Sequence, residues 1–128
     1  MSLIISFAYT TPALLAGRKS VTRREWTVKH GEMFRGGLVC QAWDRSPRYG
    51  GKHVADIQLE RDAFESRLFN MTDDDYDAEG FAYLHEHPEF WRKDGFGDFG
   101  RDKFDAWRNS GGRVWVVRFR LVRVLKGA

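Results

Sequence analysis

The run Arg113–Leu125, RVWVVRFRLVRVL, does most to restrict what this chain can fold into. Its β-branched and aromatic residues specify a strand. Trp115, Val117, Phe119 and Leu121 alternate with Arg118 and Arg120, so the strand carries an apolar face and a basic one. Arg123 breaks the alternation by one residue. A bulge near Leu121–Val122, or a switch of neighbours at a barrel corner, accounts for that slip.

Shorter strand signals precede it. Leu3–Ala8 is an apolar run, Lys19–Trp26 reads as extended, and Leu38–Trp43 follows Gly36-Gly37. In Lys52–Leu59, Val54, Asp56 and Gln58 fall on one face and His53, Ala55, Ile57 and Leu59 on the other. A short helix is expected at Thr11–Ala16, with Thr11 as its cap, Pro12 in its first turn and Gly17 as a left-handed stop. His30-Gly31-Glu32 reads as a turn and Asp44–Gly51 as a loop. A longer helix is expected from Thr72 to about His85. Thr72 caps it, Asp75 sits three residues on, and Gly80 lies in mid-helix, where it costs about 1 kcal/mol against Ala and implies close packing. A last helix, about Asp98–Asn109, carries Phe104 and Trp107 and ends at Ser110-Gly111-Gly112.

Strands that do not alternate regularly with helices argue for α+β rather than a doubly wound sheet. Five or six short strands with Gly-rich turns suggest a small, partly closed barrel. The length, 128 residues, suits a single domain, and five Trp, ten Phe and four Tyr supply a core. Cys40 stands alone in an apolar strand and is expected to be inert, in a reducing compartment. MSLIISFAYTTP lacks the basic-then-apolar order of a signal peptide, and no apolar run approaches a membrane span. A cytoplasmic protein without membrane contact is the expectation. Nothing in the sequence indicates a homo-oligomer.

Net charge is +3, and its distribution is uneven. Six basic residues lie between Arg18 and Arg35 against Glu25 and Glu32, and five between Arg113 and Lys126 against no acid. Eight acids and two arginines lie between Glu60 and Glu79. Two readings stand level: one positive face that attracts phosphates, or charge dispersed for solubility. No Ser-His-Asp motif, P-loop or dinucleotide fingerprint is present. His85 and His87, two apart on a helix, do not share a face, so no metal site and no cofactor are expected.

GRKSVTRR, Gly17–Arg24, resembles the signature of ASCH domains, a branch of the PUA-like superfamily: a Gly-x-Lys core, a hydroxyl or carboxylate three residues after the Lys, and an Arg beyond it. Ala78-Glu79-Gly80-Phe81 resembles a second ASCH segment, and the final strand also fits. The resemblance implies a small PUA-like β-barrel flanked by helices, with a cleft and an RNA-linked role. The chain is most similar in motif to the bacterial N4-acetylcytidine amidohydrolase branch, whose Lys, Thr and Glu fall here on Lys19, Thr22 and Glu79. It departs from that branch by an apparent insertion at residues 87–112, rich in Trp91, Phe96, Phe99, Phe104 and Trp107.

The expected function is therefore a nucleoside- or RNA-binding ASCH domain. Its amidohydrolase site would act on N-acylated, cytidine-like substrates. A non-catalytic RNA-binding module and a ribonuclease are the alternatives. Lys19, Thr22 and Glu79 are the candidate catalytic residues. Arg24 would contact phosphate or ligand, with Ser20, Trp43, Tyr76 and Tyr83 around the substrate, and Arg23 reads as a surface charge. Lys19 and Thr22 are three apart, so an ideal strand points them to opposite faces. They share a cleft only where the chain departs from that geometry.

Overall fold

A computed structural model describes residues 3–92 and 98–128. Six strands form one mostly antiparallel sheet: β1 (Ile4–Ser6), β2 (Val21–Arg24), β3 (Val39–Trp43), β4 (His53–Leu59), β5 (Phe64–Arg67) and β6 (Arg113–Val124). Their order is β1-β3-β4-β6-β2, with β5 also on β6. The described helices are α1 (Thr11–Leu15), α2 (Val28–Gly31), α3 (Asp75–Ala78), α4 (Phe81–Glu86) and α5 (Arg101–Asn109). This is the expected α+β architecture, with the sheet curled into a half-barrel. Phe96 of the expected aromatic insertion lies outside the described residues.

β6 is the seam. Its first part pairs with β2 on one side and β5 on the other; its second part pairs with β4. Val114, Trp115, Val116 and Val117 are buried in succession because this part has packing on both faces. Val114 and Val116 enter a core with Val21, Leu68, Met71 and Phe104, whereas Val117 and Phe119 enter one with Ile5, Phe7, Leu14, Phe34 and Ile57. The expected slip is real. Ile57 faces Leu121 and Asp56 faces Arg123, which leaves Val122 as the extra residue.

Five local expectations are corrected. Phe64–Arg67, with no strand signal of its own, becomes a strand by pairing with β6. In β4, Ala42 faces Ala55 but Trp43 faces His53, so a second bulge turns Val54 into the core, away from the Asp56 face expected for it. Residues 28–31 form a one-turn helix rather than a turn, because the Thr27 hydroxyl accepts from His30 N–H. Thr11 does not cap α1; it is the first helical residue. The single helix expected from Thr72 to His85 is two. Gly80 takes φ +96°, ending α3 and starting α4 at a new angle. A Cβ there would lie 2.8 Å from that of Ala13.

Candidate functional site

β1 and β2 are the two ends of the strand order, and the half-barrel leaves a gap between them. A cleft of about 340 Å³ occupies it. Ser6 and Phe7 come from the β1 side, Thr22, Arg23 and Arg24 from β2, Lys19 and Glu79 from the base, and Phe81, Phe99 and Trp107 from the helical side. The Arg24 guanidinium reaches back across the gap over the Phe7 ring, 5.4 Å from its centroid.

At the base lies a buried network of charges. The Lys19 amine donates to Glu79 Oε1 at 3.0 Å and to the Glu79 main-chain oxygen at 2.8 Å. Arg23 donates to Glu79 Oε2 at 2.6 Å and to Asp75 Oδ2 at 3.2 Å. All four side chains are 5% exposed or less. Desolvating four charges is expensive, and apolar side chains of similar volume generally stabilise a core as well or better. Asp75 has a second duty: the carboxylate oxygen that takes Arg23 also accepts from Thr72 N–H at 2.9 Å, closing half of the expected capping box.

Lys19 and Thr22 line the same cleft because Lys19 precedes β2, in the segment after Gly17, where strand alternation does not hold. They do not touch. The described bonds of the Lys19 amine go to Glu79, and Thr22 Oγ1 accepts from Arg24 Nε at 3.1 Å. Burial pushes the Lys19 amine below its ordinary value; Glu79 pulls the other way, and Arg24 and Arg23 add to the lowering. Burial also lowers the Arg24 guanidinium, against Glu79. Lys19, Arg23 and partly buried Arg24 face two carboxylates here, and half-exposed Arg118 approaches Asp75 at 3.5 Å from outside.

The other candidates stand elsewhere. Ser20 holds the frame through its backbone, donating to Ala78 and accepting from Phe119, with its side chain exposed. Trp43 stacks on His53 and donates to Gln41, one strand behind the cleft wall. Tyr76 lies in the second core and its hydroxyl donates to the Phe99 carbonyl at 3.0 Å, so it braces a residue of the cleft wall without lining the cleft. Tyr83 stacks on His87 and lines a separate concavity with Pro12, Leu15 and Phe90. Tyr76, Glu79 and Tyr83 do not share a face because Gly80 turns the chain between them.

Arg23 is no surface charge; it is buried in the network. No local signal marked it, since Lys19 precedes β2 and its spacing from Arg23 fixes no common face. Asp75 read only as a helix-capping acid. Nothing local to the sequence marks Phe7, Phe81, Phe99 and Trp107 as cleft residues.

No family model matches the chain, and no curated protein matches it. Among solved structures, a DUF984 protein from Enterococcus faecalis V583 aligns with 100% of this chain and 84% of its own, with a TM-score of 0.58 at 13% identity. The two share a fold. A mutant of ZmASCH from Zymomonas mobilis aligns with 97% of this chain and 73% of its own, with a TM-score of 0.47 at 9% identity. The likeness to the DUF984 protein extends over the whole sheet and its helices.

Proposed function

We propose that the chain is an ASCH-type domain that hydrolyses the amide of an N-acylated, cytidine-like nucleoside in the cleft between β1 and β2. The observation that carries this reading is the buried Lys19–Glu79 pair beside Thr22. A neutral lysine amine has two N–H donors and one lone pair. Both donors are satisfied by the two Glu79 oxygens, so the lone pair is left for a proton. Burial favours that neutral form. Glu79, held also by Arg23, stays in place as the amine changes charge.

The reaction then runs through water. Thr22 Oγ1 already accepts from the Arg24 cation, which weakens it as a nucleophile and leaves its own proton free to orient a water or the substrate carbonyl. The water oxygen bonds to the acyl carbon as Lys19 takes the water's proton. Arg24 faces the developing oxyanion. The C–N bond breaks, Lys19 returns the proton to the leaving amine, and a carboxylate and the free nucleoside depart. Phe7, Phe81, Phe99 and Trp107 supply apolar and aromatic walls for the base.

The test is release of cytidine and acetate from N4-acetylcytidine. Wild type is expected to turn over. Lys19→Arg, which stays protonated, should lose about 100-fold or more, and Thr22→Val should lose more than Thr22→Ser. Full activity in Lys19→Arg, or no cytidine from wild type at high enzyme concentration, would sink the proposal. The arginines that line the cleft, Arg23 and Arg24, support a second reading, a binding module without turnover, which the latter result would favour.

A further inference from the structure

β5 lies beside the first part of β6, and its outer edge carries no strand among the described residues. The register says which groups that edge presents. Leu68 N–H donates to the Gly112 carbonyl at 2.9 Å, and on the other side of β6 Phe119 N–H donates to the Ser20 carbonyl at 3.0 Å. Ladder bonds alternate along each strand, so Phe64 and Ser66 turn their backbone groups to β6. Glu65 and Arg67 turn theirs outward, and no described hydrogen bond meets them there. The strand has neither a proline nor a bulge to blunt this edge.

The side chains follow the same alternation. Glu65 and Arg67 are both exposed and share one face. Arg67 lies directly opposite Arg113 across the ladder, where like charges repel. Glu65 reaches Arg113 at 3.5 Å, and Arg67 has no ion pair among those described. One carboxylate therefore stands beside two guanidinium groups. Phe69, 57% exposed, follows just beyond the end of the strand. Charge commonly defends an edge, because a row of one sign repels a copy of itself. Here the two outward residues carry opposite signs, and the row is complementary to its own reverse.

We propose that the β5 edge binds a second copy of this chain, antiparallel, about a two-fold axis at Ser66. Glu65 then faces the partner's Arg67, and Arg67 the partner's Glu65. Each pair exchanges two backbone hydrogen bonds and sets unlike charges side by side. Arg67 gains the acid it lacks within its own chain. A register that puts either residue opposite its own copy brings like charges together, so the edge also rejects the neighbouring pairings. The axis carries Phe69 to the Ala63 end of the partner's strand, where the ring leaves water. An edge of four residues buries less than the roughly 1,200 Å² of a standard interface, so the dimer is reversible. β2, the cleft wall, lies across β6 from β5. Both clefts stay open, and the inference does not rest on the proposed hydrolysis.

The test is sedimentation velocity of the full chain from about 1 μM to about 1 mM, the range of weak association. Wild type should pass from monomer toward dimer across it. Glu65→Arg and Arg67→Glu each leave a single sign of charge on the edge, and each should weaken association about ten-fold or more. An equal mixture of the two variants should associate again, because each then meets its opposite. Both exchanges in one chain should also associate, since the reversed pattern is still complementary to itself. A wild type that stays monomeric throughout, or single variants that associate as wild type does, would overturn the proposal. So would a failure of both the mixture and the double exchange to recover association.

Discussion

Lys19 is held by one residue and desolvated by its surroundings, and its protonation is where function and stability meet. If its neutral form is the base, the rate on N4-acetylcytidine should climb with pH and level off below 10.5, the ordinary lysine value. Lys19→Arg should flatten the profile, and a rate that falls with pH would exclude the role. Stability follows the same titration. An unfolded chain keeps this proton up to the ordinary value and the folded chain releases it earlier. In that window the unfolded state binds more protons and stability rises with pH. Melting temperatures of Lys19→Met should lose that slope. At this scale the sequence was legible where a residue's partner is near in the chain or its motif short. Lys19, Thr22, Arg24 and Glu79 reach one cleft. Arg23 was misread because the short motif gives it no role, although its partners, Asp75 and Glu79, lie no farther along the chain than the Glu79 partner of Lys19. Cys40, buried, has its thiol pushed up to about 11 by desolvation, which agrees with an inert core residue.

Among the elements, the α3–α4 junction decides most. Lys19 donates to the main-chain oxygen of Glu79, the residue just before Gly80, so the angle between the helices fixes the base of the cleft. Gly80→Ala meets both a left-handed φ and the Ala13 side chain. It should cost about 2–4 kcal/mol and lower the melting temperature by several degrees, which calorimetry would read. An unchanged melting temperature would mean that the junction can straighten into one helix. Sequence patterning found the strands whose residues alternate on their own account and missed β5, whose FESR run gains its structure only from β6. It also missed the Val54 bulge, which falls at the start of β4, where too few residues precede the slip to set an alternation for it to break.

Across the whole molecule, much of the uneven charge along the chain is settled by pairing. The acidic middle of the chain is the counterpart of its basic segments: Arg18 pairs with Asp77, Lys19 and Arg23 with Glu79, Arg23 and Arg118 with Asp75, and Arg101 and Arg108 with Asp73. Exposed Arg45, Arg48 and Arg67 make no ion pair among those described, so cations remain on the surface, and the net charge is +3. Binding of a short single strand through a few of these cations should give a log–log salt slope of about −1 to −2. Arg45→Gln should shrink that slope by about 0.7, measurable by titration across ionic strength. A slope several times steeper would point to contacts beyond these cations.

The central position of β6 also sets when the protein can take shape as it is made. Residues 113–124 supply pairing for β2, β4 and β5, and they are the last of the strands to leave the ribosome. Until they emerge, those three strands wait with unpaired edges, and the two cores lack their shared wall. Folding is thus deferred to the close of translation of this segment and proceeds through long-range contacts. A nascent chain stalled before Arg113 would be a client for chaperones.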